Sequence, residues 1–279
     1  MSVLVIRNMK KHFQQQFSEP DNVEYWDNIY DQHDFSGECY RQRLSIVLNW
    51  LGELDLSENS MVLDAGCGAG KFASEAAKRG YNVFGMDYSY GMTVKAKSIY
   101  NHEVNQNTAF IQGDIESLPF ENSTFNVIIC LGVVAYLKSE KQSLHELSRI
   151  LKPNGILAIS IVNKARLANR LDLPVLIANL LKKILNDLSA IWKKAHDSTD
   201  TDSLTTYLIP KFSNSLKLAG FTVLEKRTIP WKLVTFFGNE ILPNKIARKI
   251  TLFFEQFSNI PYIDSFGGMC VFKAAKDSN

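Results

Sequence analysis

The chain folds around the stretch Val62-Leu63-Asp64-Ala65-Gly66-Cys67-Gly68-Ala69-Gly70. Apolar residues lead into an aspartate, and three glycines then alternate with small residues. A helix-prone run, 71–79, follows directly. Glycine allows the backbone to turn sharply and a ligand to approach it closely. The stretch therefore predicts a buried strand, a tight turn that faces a ligand, and the start of a helix.

The spacing of the glycines separates two kinds of nucleotide-binding turn. In the dinucleotide fingerprint G-x-G-x-x-G, the third glycine would fall at position 71, which is Lys71. The pattern here is instead D-x-G-x-G-x-G, which resembles motif I of class I methyltransferases that depend on S-adenosylmethionine. The resemblance implies a Rossmann-like fold and S-adenosylmethionine as cofactor, with S-adenosylhomocysteine as the product.

The composition is that of an ordinary globular protein. The chain has 279 residues, 46% of them hydrophobic and 22% charged, and a net charge of +2. Such a small net charge implies no general attraction to nucleic acid. The four cysteines form no C-x-x-C pair, and no apolar run approaches about 18 residues. We expect a cytoplasmic protein with reduced cysteines and no transmembrane helix.

Strands and helices alternate through the chain, which is typical of an α/β fold with a mostly parallel sheet and helices on both faces. Seven strands are predicted, at 61–65, 82–87, 108–112, 125–131, 156–162, 221–228 and 268–274. Helices are predicted at 22–31, 39–54, 71–79, 91–100, 139–151, 164–197, 210–219 and 243–258. Ser139 and Gln142 have the spacing of a capping box at the start of one helix.

These elements divide the chain into four parts. We expect a helical cap over 1–54 and a Rossmann-like core over 55–163. A helical insertion or lid follows over 164–210. Residues 211–279 complete the sheet and add an amphipathic helix.

Two acidic residues follow the second and third predicted strands. Asp87 lies 87 − 64 = 23 residues after Asp64, and its carboxylate can accept hydrogen bonds from both ribose hydroxyls of a nucleoside. Tyr88 is then placed against the adenine ring. The segment 113–120, G-D-I-E-S-L-P-F, resembles the family's G-D-A-x-x-L-P-F. By that resemblance Asp114 and the Ile115 amide contact the adenine.

Two later segments extend the resemblance and depart from it in places. Residues 125–137 resemble the family's fourth strand and its loop, with Asn126 in place of a common Asp and Tyr136 where His is frequent. Asn154 replaces a glycine in the turn at 149–155. The cofactor-binding residues that we predict are Asp64, Ala65, Gly66, Cys67, Gly68, Gly70, Asp87, Tyr88, Asp114, Ile115, Leu131, Gly132 and Tyr25.

The sequence says less about the methyl acceptor. It has no [DN]-P-P-[YF] after the fourth strand, which would indicate amide or adenine nitrogen methylation, and no Pro-Cys pair, which would indicate cytosine methylation. We expect metal-independent O-methylation of a small-molecule or lipid-linked acceptor in a biosynthetic pathway. C-methylation of a quinone-like or polyketide-like ring is the alternative. The departures at Asn126 and Tyr136 leave open a regulatory or non-catalytic subunit that binds S-adenosylmethionine.

Aromatic residues outside the glycine loop are candidates for the acceptor pocket. Its predicted lining residues are Trp26, Tyr30, Tyr40 and Trp231, with Phe35 nearby. His33 is the predicted general base, Tyr136 is a second candidate, and Arg41 could bind an acidic acceptor.

Two basic amphipathic stretches, 176–194 and 244–257, have two interpretations. They form a lid on the core, or they contact a membrane surface or a lipid-linked substrate. We expect no nucleic-acid partner, a monomer or homodimer, and a cytoplasmic location that allows peripheral contact with a membrane.

Overall fold

A computed structural model describes residues 12–100, 108–137, 139–165, 204–229, 235–236, 239–240 and 268–278 of the chain. Its strands are β1 Met61–Ala65, β2 Asn82–Asp87, β3 Thr108–Gln112, β4 Phe125–Cys130, β5 Leu151–Val162, β6 Phe221–Ile229 and β7 Met269–Lys276. Its helices are α1 Pro20–Asn28, α2 Phe35–Glu53, α3 Lys71–Ala77, α4 Tyr90–Tyr100, α5 Glu140–Ile150 and α6 Ile209–Leu218. A separate two-stranded ladder joins Thr235–Phe236 to Asn239–Glu240.

The seven labelled strands form one sheet in the order β3-β2-β1-β4-β5-β7-β6. Strands β1 to β5 are parallel, whereas β7 runs antiparallel to both of its neighbours. Both faces are buried: Val62 and Val127 belong to one apolar core, and the adjacent Leu63 and Ile128 belong to the other. Successive side chains of a strand point to opposite faces, so helices must cover both sides.

The strand order places a crevice at one end of the sheet. Connections from β1 lead to β2 and β3 on one side, and β4 and β5 lie on the other. Ligands of such sheets bind where the order reverses, outside the carboxyl ends of the strands. Asp64 in β1 and Asp87 at the end of β2 are brought to that position.

The seven-stranded, mostly parallel sheet is confirmed, as are the N-terminal helices. Asn154 adopts φ +61, so the turn keeps the left-handed backbone that a glycine would favour. Helix α2 begins four residues earlier than predicted, because the Asp34 carboxylate caps it by accepting from the Gly37 amide at 2.8 Å.

The predicted capping box forms only in part. The Ser139 hydroxyl accepts from the Lys141 amide at 3.3 Å, but Gln142 donates to the Glu116 carbonyl instead of returning to the helix start. The helices predicted at 164–197 and 243–258 lie outside the described residues, as does most of the helical insertion.

Candidate active site

A cavity of about 450 Å³ opens at the carboxyl ends of the parallel strands. Its walls come from the glycine loop after β1, the ends of β2 and β3, the loop after β4, and the N-terminal helices. This volume lies within the range of ordinary small-molecule sites. The sheet therefore presents a ligand site at the position predicted from its topology.

The Asp87 carboxylate lies at the centre of a backbone network in this cavity. Its Oδ2 accepts from the Gly68 amide at 2.9 Å and its Oδ1 from the Ser89 amide at 2.8 Å. Burial raises the pKa of Asp87, and these backbone hydrogen bonds counteract the rise. Each carboxylate oxygen has a second lone pair, so Asp87 can still accept hydroxyl groups of a ligand.

Asp64 and Arg43 form a second, charged part of the cavity. Asp64 is 4% exposed, and its Oδ2 has no hydrogen-bond partner among the described residues. Burial, reinforced by the charge of Asp87, raises the pKa of Asp64 to about 7. Arg43 is 5% exposed, and within the same described part of the chain its Nε also lacks a partner. The two opposite charges attract each other, and the Arg43 guanidinium lies 4.6 Å from the centroid of the Tyr40 ring. A buried polar atom without a hydrogen bond is nevertheless costly, so Asp64 Oδ2 and Arg43 Nε are suited to bond a ligand that carries complementary charges.

Two glycines of the loop after β1 are required for different reasons. At Gly66 the backbone has φ +85, and an added Cβ would collide with Cγ2 of Val133. At Gly68, φ is +53, and an added Cβ would meet nothing within 4 Å. Gly66 thus allows close packing of the loop, whereas Gly68 borders the open space that a ligand would fill.

A glycine after β4 makes room for the buried arginine. Gly132 has φ +79, and a Cβ there would lie 2.9 Å from Nη1 of Arg43. The Gly132 amide donates to the Ser160 hydroxyl at 2.8 Å, which fixes this loop on β5. A side chain at residue 132 would therefore force the end of the Arg43 side chain to shift from its observed position.

Aromatic rings form the opposite wall. Phe13 and Phe17 approach Tyr136 edge-on, with ring centroids 5.4 and 5.0 Å apart. Trp26 lies 6.1 Å from Phe17 and 5.6 Å from Tyr40. Burial raises the pKa of Tyr136 to about 12, so its hydroxyl stays protonated near neutral pH. This wall is suited to an apolar or flat ligand group.

Comparison with known proteins assigns the central part of the chain. A family model described as a methyltransferase domain matches residues 63–159. These residues include the glycine loop, Asp87, Asp114 and the loop after β4. Residues 63–159 are thus similar to a methyltransferase domain.

Relatives of this domain differ in what they methylate. The ubiquinone biosynthesis O-methyltransferase of Rickettsia canadensis is 33% identical over 107 residues, which are 38% of this chain and 44% of that protein. The sterol 24-C-methyltransferase of Schizosaccharomyces pombe is 23% identical over 236 residues, covering 80% of this chain and 62% of that protein. The chain spans about half the length of the Rickettsia relatives that it matches.

Solved structures share the fold of this chain. Magnesium protoporphyrin IX methyltransferase of Synechocystis, solved with bound S-adenosylhomocysteine, has a TM-score of 0.60 at 18% identity. The alignment covers 96% of this chain and all of that one. The [4+2]-cyclase SpnF also matches, with a TM-score of 0.56 at 16% identity over 85% of this chain and 81% of its own. The same fold therefore carries different chemistries.

Most of the predicted cofactor residues line the cavity at the carboxyl ends of the strands. They are Asp64, Gly66, Cys67, Gly68, Asp87, Tyr88, Asp114, Ile115, Leu131 and Gly132. Three predicted residues do not line it. Ala65 is fully buried in the core beneath the sheet, Gly70 turns the chain into α3 with φ +87, and Tyr25 is 44% exposed beside Trp26.

Only some of the residues predicted for the acceptor pocket and for catalysis line the cavity. Trp26, Tyr30, Tyr40 and Tyr136 line the cavity. The side chain of Phe35 and all of Trp231 lie outside the described part of the structure.

The predictions of His33 as general base and of Arg41 as a group that binds an acidic acceptor are corrected, because neither residue lines the cavity. Arg41 donates to the carbonyls of Tyr30 at 2.7 Å and Gln32 at 2.6 Å, and it pairs with Glu38. These bonds hold the loop after α1 against α2 and leave His33 exposed. Arg41 is thus a structural residue of the cap.

Sequence reasoning missed Arg43, Phe13, Phe17 and Ser89. Arg43 follows Arg41 by two residues on α2, and a helix turns about 200° over two residues. The two arginines therefore face different directions, and only the packing of α2 on the sheet shows which one is buried. Phe13 and Phe17 precede the first predicted helix, 22–31, where the sequence carries no motif.

Proposed function

We propose that this chain transfers a methyl group from S-adenosylmethionine to an oxygen atom of a small-molecule or lipid-linked acceptor in a biosynthetic pathway. One observation carries the proposal: the unpartnered Asp64 oxygen and the unpartnered Arg43 nitrogen line the same cavity as Asp87. The amino-acid end of the cofactor has one ammonium and one carboxylate. Asp64 and Arg43 offer the charges that match them.

The remaining donor residues fit the nucleoside end of the cofactor. The free lone pairs of Asp87 suit the ribose hydroxyls, and Asp114 with the Ile115 amide borders the cavity where the adenine is expected. Tyr88 supplies an aromatic face, and the open side of Gly68 leaves room for the ligand backbone. When bound, S-adenosylmethionine supplies a methyl group that its sulfonium makes electrophilic.

The chain's own contribution is to position the acceptor. The edge-on wall of Phe13, Phe17 and Tyr136 holds an apolar group against the donor side and excludes water. Placing two reactants in one geometry removes much of the entropic cost of their reaction. The Tyr136 hydroxyl, protonated near pH 7, donates a hydrogen bond to the acceptor oxygen. That oxygen reacts as its anion, having lost its proton to bulk solvent before it binds, so that transfer of the methyl group leaves a neutral ether and S-adenosylhomocysteine.

The experiment is isotope transfer from S-adenosylmethionine with a deuterated methyl group. The purified chain is incubated with this donor and an extract of the host cell, and small molecules are analysed by mass spectrometry. We expect one labelled small product, which the Asp87→Ala variant does not form. Fragmentation of the product then distinguishes a methyl ether from a methylated carbon.

Three other results would contradict parts of the proposal. A carbon-bound label would favour the alternative of C-methylation, which the longer alignment with the sterol C-methyltransferase supports. Label found only in protein or nucleic acid would overturn the acceptor class. No label, with S-adenosylhomocysteine still bound, would favour a non-catalytic binding subunit.

We also propose peripheral contact with a membrane or a lipid-linked acceptor through the basic stretches 176–194 and 244–257. Among the described residues, no helix is long and apolar enough to cross a membrane. Sedimentation with anionic liposomes tests this surface contact. Salt-sensitive co-sedimentation is expected, and its absence at low salt would refute the contact.

A further inference from the structure

A short N-terminal segment connects the two sides of the cavity. We call residues 12–18 the strap. Its Phe13 and Phe17 line the cavity and pack edge-on against Tyr136 in the loop after β4. The end of the strap contacts the loop between β2 and α4, next to Asp87. The strap thus touches the acceptor wall and the donor site at once.

Ser89 makes the contact on the donor side. It is 1% exposed, and its amide donates to Asp87 Oδ1 at 2.8 Å. Its hydroxyl donates to the Phe17 carbonyl at 2.9 Å. The same oxygen accepts from the Met92 amide at 3.2 Å and lies 2.9 Å from the Ser18 hydroxyl. Because the Ser89 proton goes to Phe17, Ser18 is the donor in the last bond.

The hydrogen-bonding capacity of Ser89 is fully used. A serine hydroxyl has one proton to donate and two lone pairs to accept with, and three bonds are present. Two of them hold the strap, and the third caps α4. Replacing Ser89 by alanine would remove all three and leave the strap attached by its aromatic contacts.

The backbone is shaped for this docking. A Cβ at Gly91 would lie 3.0 Å from the Ser18 Cα and 3.1 Å from its carbonyl oxygen. Such approaches to backbone atoms are tighter than most Cβ contacts, so a side chain at position 91 would push the strap away from the first turn of α4 by a few tenths of an ångström. Gly91 therefore allows the strap to pack closely against α4.

We propose that Ser89 is a positioning residue that couples occupancy of the donor site to closure of the strap over the acceptor site. This inference rests on the proposed function, because it takes Asp87 as the group that binds the donor ribose. A donor held on Asp87 restrains the Ser89 backbone that Asp87 already binds. The restrained Ser89 hydroxyl then holds Phe17 and Ser18, and the aromatic wall is complete when the donor is present.

If donor binding favours the closed strap, a closed strap must favour donor binding by the same factor. The coupling can therefore be measured on the strap. If the donor closes the strap, the backbone amides of the strap must exchange with solvent more slowly in its presence. Suitable probes are the amides of Phe17, Ser18 and Glu19, which are bonded within the strap at 2.9, 3.0 and 3.2 Å. Their exchange reports opening of the strap.

The experiment is hydrogen–deuterium exchange of the full chain with and without S-adenosylhomocysteine. In the wild type, the ligand should slow exchange of the strap roughly fivefold to tenfold, the effect of about one hydrogen bond. In Ser89→Ala this ligand-dependent slowing should disappear, and in Ser18→Ala, which removes one bond, it should fall partway. Ser98→Ala is the matched control, because Ser98 lies on the exposed side of α4 and, within the part of the chain that the structure describes, its hydroxyl donates to the Lys95 carbonyl alone.

The outcomes separate the two proposals. Failure of S-adenosylhomocysteine to bind the wild type would overturn the proposed function and the coupling with it. Binding without slower exchange of the strap would overturn the coupling alone. Equal slowing in Ser89→Ala and wild type would also overturn it, since a purely structural role shifts exchange in both states by the same factor. If Ser89→Ala does not fold, Ser18→Ala decides by the same comparison.

Discussion

The two sides of the cavity are built in different ways. The donor side consists of backbone turns and carboxylates at the ends of consecutive strands, within residues 64–115. The acceptor side consists of aromatic rings from residues 13 to 40 and from Tyr136, which are far apart in the chain. A site made of local turns leaves a pattern in the sequence, whereas a site assembled by packing leaves only scattered apolar residues.

The largest expected effect is at the donor turn, where local geometry is strictest. Gly66→Ala combines a left-handed backbone with a collision against Val133. We expect the affinity for S-adenosylhomocysteine to fall about 100-fold or more, as measured by calorimetry. Thermal unfolding should show a lower stability as well.

Gly80→Ala is the control for backbone strain. Gly80 has φ +86, but a Cβ there would meet only the Glu58 side chain at 3.8 Å or more, away from the cavity. We expect a loss of about 1 kcal/mol in stability with unchanged ligand affinity. If both variants bound alike, the turn would not be specific to the donor.

A smaller effect distinguishes the two arginines of α2. Arg43→Ala removes the buried cation that we assign to the donor carboxylate, and the affinity for S-adenosylhomocysteine should fall between about 10- and 100-fold. Arg41→Ala, two residues away, removes only contacts within the cap and should leave the affinity unchanged. The reverse order in a calorimetric titration would contradict the assignment of Arg43 to the donor carboxylate.

Arg41 and Arg43 show which features of the cavity a sequence motif cannot predict. The seven strands and the turn were predicted from motifs, and ten of the thirteen residues predicted to bind the cofactor line the cavity. Motifs can give these positions because a left-handed turn favours glycine and the end of a strand places an aspartate at the cavity. The position of Arg43 in the cavity could not be predicted from the sequence, because it depends on how α2 packs on the sheet and on the space beside Gly132. His33 was misplaced for a related reason: the bonds of Arg41 to carbonyl groups fix its loop away from the cavity.

The pH dependence of donor binding gives a third, weaker test of the donor side. The pKa of Asp64 is raised to about 7, so the carboxyl is largely neutral in acid and cannot balance the ligand ammonium. The affinity for S-adenosylhomocysteine should therefore rise about tenfold between about pH 6 and about pH 8. Asp64→Asn should bind weakly with a flatter profile; a profile as steep as the wild type's would exclude Asp64 as the titrating group.

The smallest effect is expected on the acceptor side. Tyr136→Phe keeps the ring and removes a hydroxyl whose pKa is raised to about 12. The rate of methyl transfer in the isotope assay should fall about threefold, which is near the lower end of the cost of one neutral hydrogen bond. Tyr136→Ala, which removes the ring, should raise the acceptor KM.

His33→Ala is the control for the base assignment, and we expect unchanged activity. A rate loss of more than about 100-fold in Tyr136→Phe would be in the range of general acid–base catalysis. It would show that the hydroxyl takes part in proton transfer. The acceptor side would then contain a catalytic group and not only packed aromatic rings.

The central claim is that Asp87 and the glycine turn form the binding site of one methyl donor. The most direct measurement is calorimetric titration of the full chain and of Asp87→Ala with S-adenosylhomocysteine. We predict one site per chain in the wild type and an affinity about 100-fold lower in the variant, because two charge-assisted hydrogen bonds are lost. Absence of binding to the wild type, or equal affinity in Asp87→Ala, would contradict the account.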